Sequence, residues 1–199
     1  YILCVLAYIC ISISILLSEH KTLSIGRFAT ICGYTVLIAG MVFSISVIET
    51  SDPAMGLENL LVTFCGAWLA DTGAYFVGTF LGKHKLCPEI SPKKTVEGLA
   101  GGIVSNALFM MLAGYLISVL GKGLVVNYAL LAVLGIVNAV LGTIGDLTAS
   151  LMKRECGIKD FGKIMPGHGG ALDRFDSMVF VAPFMAAVLS VFSIFGTLF

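Results

Sequence analysis

Two aspartates stand inside long apolar runs, where a carboxylate is costly unless it meets a cation or a water-filled cavity. Asp71 lies within Trp68-Leu-Ala-Asp-Thr-Gly-Ala-Tyr75, and Asp146 within Gly142-Thr-Ile-Gly-Asp-Leu147. A functional role is the default reading of such residues, and a carboxylate paired with a lysine for packing alone is the bland one. Arg154 follows Asp146 by eight residues, about 12 Å at the helical rise. Asp146 is therefore expected near the end of its helix, within reach of water and of a basic loop. Asp173 and Asp176 are spaced i,i+3, which places them on one helical face and turns Arg174 elsewhere. Carboxylates aimed together, with another from a neighbouring helix, suit a hard cation such as Mg²⁺ that leaves positions for phosphate. The same pair also serves as an acidic first turn complementing a helix dipole.

Cations lie around these acids. Lys93 and Lys94 stand in Ile90-Ser-Pro-Lys-Lys-Thr-Val-Glu-Gly98, and Lys153, Arg154 and Lys159 precede Asp160. Basic loops generally report topology and attraction to anionic lipid, which accounts for Lys21, Arg27, Lys83 and Lys85. The later group alternates with glycines and acids in a tight segment, as a phosphate site requires. Pro166-Gly-His-Gly-Gly170 supplies backbone N–H groups that can cradle phosphate oxygens. His168, between glycines, has nothing apolar to pack on and is read as a partner for a phosphate oxygen. Asp71-Thr-Gly repeats the tripeptide of aspartic proteases, but that chemistry needs two carboxylates sharing a proton. The tripeptide occurs once here, inside an apolar run.

The elements that hold these residues follow from composition. The 199 residues are 58% hydrophobic and 12% charged, with a mean hydropathy of +1.00, against about 25% charged residues in soluble domains. Six apolar stretches are long enough to span a bilayer: 1–17, 28–48, 57–81, 98–120, 125–151 and 178–199. None alternates with period two, which excludes an outer-membrane barrel. The expectation is an all-α, polytopic integral membrane protein. Residues 1–199 would form a single transmembrane catalytic domain of about six helices, with loops near 82–97 and 155–172. The chain opens at Tyr1 inside an apolar run, so further helices are expected before it. Six cysteines without a CxxC pair form neither a disulfide framework nor a zinc site. The basic connections follow the first, third and fifth stretches, so the positive-inside rule makes that side, and the site, cytoplasmic. No nucleic-acid partner is expected.

The run Ser150-Leu-Met-Lys-Arg-Glu-Cys-Gly-Ile-Lys-Asp-Phe-Gly-Lys-Ile-Met-Pro-Gly-His-Gly-Gly-Ala-Leu-Asp-Arg-Phe-Asp-Ser177 closely resembles the signature of the phosphatidate cytidylyltransferases, or CDP-diacylglycerol synthases. Ala70-Asp-Thr-Gly-Ala-Tyr-Phe-Val-Gly78 and Ser91-Pro-Lys-Lys-Thr-Val-Glu-Gly98 resemble the same family. Two departures are Thr79, where the family commonly has a basic residue, and Val96, where it commonly has Trp. The resemblance implies a nucleotidyltransferase of the cytoplasmic membrane that joins CTP to phosphatidic acid, often as a homodimer, in phospholipid biosynthesis. It implies Mg²⁺, with room for a second metal ion. Asp146 and Asp173 would bind metal, supported by Asp176 and Asp71. Lys93, Lys94, Lys153, Arg154, Lys159, His168, Gly169, Gly170 and Arg174 would hold the triphosphate and the lipid headgroup. The rival activities are a CTP-dependent lipid-alcohol kinase and a transporter using intramembrane acids as ion sites. A transporter leaves the Lys/Gly/His/Asp cluster of one connection unexplained.

Overall fold

A computed structural model describes residues 2–19, 21, 23–120, 124–162 and 170–197. The chain divides into two compact units, Tyr1–Ala39 and Gly40–Phe199. In the first, α1 (Ile2–Ser18) is followed by the opening half of α2 (Ile25–Ser51), and the Tyr8 hydroxyl donates to the Cys32 carbonyl at 3.1 Å.

The second unit carries the acids. Its elements are the end of α2, then α3 (Gly56–Leu81), a hairpin of β1 (Lys85–Cys87) and β2 (Ser91–Thr95), and α4 (Val96–Leu120). These are followed by β3 (Leu124–Val126), α5 (Tyr128–Glu155), the single turn α6 (Leu172–Phe175), α7 (Met178–Leu189) and β4 (Phe195–Thr197). Helices α2, α3, α4 and α5 are long and apolar enough to cross a membrane; α1 and α7 are shorter apolar helices. Helices suit these runs because each satisfies its own backbone polar groups, as lipid demands. Large apolar side chains such as Leu57, Phe80, Leu108 and Leu120 lie exposed, as they would be toward lipid. This is an all-α polytopic integral membrane protein.

Small residues set the packing. α4 presents Gly98, Gly101, Gly102 and Ser105 to Ala70, Gly73, Ala74 and Val77 of α3. A Cβ at Gly98 would stand 2.9 Å from the Ala74 carbonyl and 3.2 Å from Gly78 Cα, so the two backbones meet as small-residue seams allow. Gly135 brings α5 against Ala107 of α4 in the same way. Asn106, fully buried at this junction, donates from Nδ2 to the Gly66 carbonyl of α3 (2.9 Å) and the Gly135 carbonyl of α5 (2.8 Å). Its Oδ1 is buried without a partner among the described residues, which offsets part of that gain. Asn106→Ala is expected to lower stability by about 1–2 kcal/mol, given the modest worth of hydrogen bonds between membrane helices. Thermal unfolding in detergent checks this, and an unchanged midpoint would show that the three-helix bridge contributes nothing.

Local signals place the helix ends. Asn127 caps α5 by accepting from the Leu130 amide at 3.1 Å. The far end of α5 carries Lys153 and Arg154, favourable at a C-terminus, and Gly157 turns the chain out at φ 68°. Thr95 caps α4 by accepting the Gly98 amide at 3.1 Å.

Three expectations need correction. The stretch 178–199 is not one helix: α7 ends at Leu189 and β4 follows, pairing antiparallel with β3 (Leu124↔Thr197, Val126↔Phe195). The stretch 125–151 likewise begins with strand residues before Asn127 starts its helix. Hydropathy alone does not separate a short apolar strand from a helix end. The β-branched and aromatic residues Val125, Val126, Ile194 and Phe195 favour the extended form once an edge partner is available. The connection expected as a loop near 82–97 contains the β1–β2 hairpin.

Candidate active site

The four aspartates that the sequence singles out, Asp71, Asp146, Asp173 and Asp176, line one cavity of about 680 Å³. Lys93, Lys94 and Lys85 line it too, with Tyr75, Thr79 and Thr143. Acids and cations arrive on different elements. Asp71 comes from α3, Asp146 from α5, Asp173 from α6 and Asp176 from the corner before α7, while all three lysines come from the β1–β2 hairpin and its approach.

The hairpin is tied to the helices by Glu97 in the first turn of α4. Glu97 Oε2 accepts from the Lys83 and His84 amides, both at 3.1 Å, and Oε1 lies 2.6 Å from His84 Nδ1. Lys94 then reaches across the cavity to Asp146, Nζ to Oδ2 2.6 Å. Ser150, one turn further along α5, donates to Asp146 Oδ1 at 3.4 Å. Asp71 Oδ2 accepts from the Ser177 hydroxyl at 2.9 Å.

Asp173 is bound differently. Lys153 Nζ stands 2.8 Å from its Oδ1, and the Phe161 and Gly170 amides both donate to Oδ2 at 2.9 Å. Lys153 also sits over the Phe161 ring, 5.3 Å from its centroid. Burial by itself would raise the Asp173 carboxyl, but the Lys153 ammonium and the two amides outweigh it and hold the group below the usual carboxylate range. Asp176, 8% exposed, accepts the Ser177 amide on Oδ1 at 2.9 Å. Burial first, and then the Asp146 carboxylate, push its carboxyl well above the usual range.

Aromatic packing fixes the turn that carries Asp173. Trp68 Nε1 donates to the Arg174 carbonyl at 3.0 Å, and its ring lies 6.0 Å from Phe175 and 5.2 Å from Phe64. Gly145, the residue before Asp146, lets the 176–177 backbone approach α5, since a Cβ there would stand 2.5 Å from the Asp176 carbonyl.

Residues 2–192 match the model of the cytidylyltransferase family. The chain belongs to this family. It is 39% identical over 183 residues to a protein of Staphylococcus haemolyticus (strain JCSC1435) named phosphatidate cytidylyltransferase, covering 90% of this chain and 67% of that protein. A protein of the same name from Bacillus subtilis (strain 168) is 44% identical over 164 residues, covering 81% of this chain and 59% of that protein.

Within this cytidylyltransferase, not every residue expected at the site faces the cavity. Asp71, Asp146, Asp173, Asp176, Lys93 and Lys94 do. Lys153 and Gly170 stand behind the cavity as partners of Asp173, one through its ammonium and the other through its amide. Arg154, Lys159 and Arg174 are exposed and outside the cavity lining. His168 and Gly169 lie outside the described residues. Two residues that sequence reasoning passed over belong to the site. Lys85, which composition alone places with the topology-setting cations, lines the cavity. Ser177 is a buried polar residue at the mouth of an apolar helix, directly after Asp176.

The donor set bears on a metal. Among the described residues, no three His, Cys, Asp or Glu side chains stand close enough together to hold an ion by themselves. Mg²⁺ is generally held by one or two carboxylates while substrate phosphates and water complete its shell, so two of the cavity acids would suffice for it. Asp146 and Asp176 line the same cavity, and the Asp176 backbone packs on Gly145 directly before Asp146, an arrangement whose mutual repulsion a cation would relieve. Asp146 and Asp173 both have their oxygens engaged by protein donors, but those of Asp173 include two backbone amides, whereas Asp146 meets a lysine that lines the cavity and a hydroxyl at 3.4 Å.

Proposed function

We propose that this chain is the membrane-embedded catalytic part of a phosphatidate cytidylyltransferase, transferring CMP from CTP to phosphatidic acid to give CDP-diacylglycerol and pyrophosphate. One observation carries the reading: in a chain of this family, four aspartates and three lysines from separate elements line a single cavity. Repulsion between two polyanions is the obstacle to this reaction, so its catalysis rests on positioning and charge neutralisation. No side-chain nucleophile is required, because the phosphatidate oxygen is already ionised at neutral pH.

Lys85, Lys93 and Lys94 bind triphosphate oxygens from the hairpin side, and Lys94 exchanges its contact with Asp146 for one with phosphate as the nucleotide enters. The phosphatidate oxygen attacks the α-phosphorus in line. The new P–O bond forms as the bond to the pyrophosphate oxygen breaks, and the lysines take up the charge on the leaving group. Asp146 and Asp176 would hold Mg²⁺, which supplies charge neutralisation on the phosphate oxygens. The basic connections Lys83–Lys94 and Lys153–Lys159 support a cytoplasmic orientation of the cavity in the cytoplasmic membrane.

The test feeds the protein, in detergent or lipid, with CTP labelled at the α-phosphorus, phosphatidic acid and Mg²⁺. Label entering the lipid extract with equimolar pyrophosphate, dependent on Mg²⁺, is the expected result. Transfer from γ-labelled CTP to a lipid alcohol instead would identify a kinase. Absence of both transfers in folded protein would overturn the enzymatic reading.

A further inference from the structure

Several buried or half-buried hydroxyls of this chain serve their own helix. Thr63, Thr143 and Ser44 each donate to the carbonyl four residues earlier, as serine and threonine commonly do. Ser177 departs from that pattern. It is 1% exposed, and its hydroxyl donates to Asp71, 106 residues away, at 2.9 Å. Its backbone amide donates to Asp176 Oδ1, also at 2.9 Å. One residue therefore holds two of the cavity acids, one from α3 and one from the corner before α7. It is itself seated on α5: a Cβ at Gly145 would stand 3.1 Å from Ser177 Cα, and a Cβ at Gly142 would stand 3.5 Å from Ser177 Cβ. Asp146 follows Gly145 directly.

We propose that Ser177 is a positioning residue: its amide sets Asp176, which with Asp146 would hold the divalent cation bound with the nucleotide triphosphate, and its hydroxyl anchors that corner to Asp71 of α3. The proposal rests on the cytidylyl-transfer reading of this site. Asp71, Asp146 and Asp176 repel one another when ionised, and fixed donors hold their side chains in place against that repulsion. Two donors from one buried residue hold two of them at a set separation, and the third stands on the helix against which that residue packs. Hydrogen bonds of this kind to metal-site carboxylates orient the ligand, and their removal typically lowers metal affinity or activity by about 10- to 100-fold.

The test compares Ser177→Ala and Ser177→Thr in the full chain. Alanine deletes only the hydroxyl and keeps the amide on Asp176; threonine keeps the hydroxyl, and the missing side chain at Gly142 leaves space for its extra methyl. Mn²⁺ is the probe, titrated by electron paramagnetic resonance in the presence of a non-hydrolysable CTP analogue, alongside kcat and KM for CTP. Ser177→Ala is expected to weaken Mn²⁺ binding and lower kcat by about 10- to 100-fold, with KM for CTP nearly unchanged, and Ser177→Thr to restore both. Wild-type Mn²⁺ affinity and kcat in Ser177→Ala would overturn the positioning role. So would equal losses in both variants accompanied by a fall in melting temperature, which would leave Ser177 a packing residue. A wild-type protein that binds Mn²⁺ but transfers no CMP would instead strike down the cytidylyl-transfer reading, and the role of Ser177 in it.

Discussion

Asp146→Asn is expected to abolish cytidylyl transfer, a loss of about 10²-fold or more, while the protein still inserts and folds. Asp146 lines the cavity, its Oδ2 pairs with Lys94 at 2.6 Å, and its side chain remains 27% exposed. Loss of its charge therefore leaves no deeply buried ion stranded. Lys94, no longer opposed by a carboxylate, remains available to phosphate, so CTP binding is expected to survive while turnover does not. The measurement is pyrophosphate release and labelled CDP-lipid from α-labelled CTP, with size-exclusion elution as the control for folding. Full turnover in this variant would remove Asp146 from the chemistry.

Lys153→Met is expected to act on the fold before it acts on the chemistry. Lys153 and Asp173 form an ion pair whose side chains are only 10% and 8% exposed. Removing one partner of a buried pair strands the other charge, at a cost of about 3–5 kcal/mol. The Phe161 and Gly170 amides would still donate to Asp173, so the lower part of that range is expected. The melting temperature in detergent reports the loss. Lys153→Met combined with Asp173→Asn removes both charges while the amide oxygen still accepts from the backbone. This double variant is expected to be less destabilised than the sum of the single variants; strict additivity would show that the two residues are not coupled. The pair also sets a pH dependence. Because the folded-state carboxyl of Asp173 is held below its ordinary range, its contribution is present at neutral pH and is lost as pH falls through the acid range.

The sequence made the acids legible because aspartate inside an apolar run has few structural uses. Asp71, Asp146, Asp173 and Asp176, spread over more than 100 residues, do converge on one cavity. What separates them was not legible. Asp173 and Asp176 look equivalent at i,i+3, yet one is bound by Lys153 and two amides and the other lies buried beside Asp146. That difference depends on the Phe161 and Gly170 amides meeting the Asp173 carboxylate, which no local pattern encodes. The long apolar runs 57–81 and 98–120 match α3 and α4 closely, whereas the run 125–151 takes in strand residues before Asn127 and stops short of the last turn of α5, where Lys153 and Arg154 end the apolar pattern. The β3–β4 ladder escaped notice because each strand is three residues long and exists only through its partner 70 residues away. Lys85 was hidden by company: among several loop lysines, nothing in composition tells a phosphate ligand from a topology marker.

The cavity acids belong to helices and their junctions, whereas its lysines ride on a two-stranded ribbon attached to the bundle through Glu97, Thr95 and Val96. Two properties that an enzyme must adjust are thereby placed on parts that can drift independently. Exchanging residues 83–94 between homologues would alter the cation-bearing ribbon while leaving in place Thr95, which packs among Gly78, Gly82 and Gly98 of the helix seam. A lineage facing a new headgroup could thus rewrite its ribbon and inherit its reaction centre unchanged.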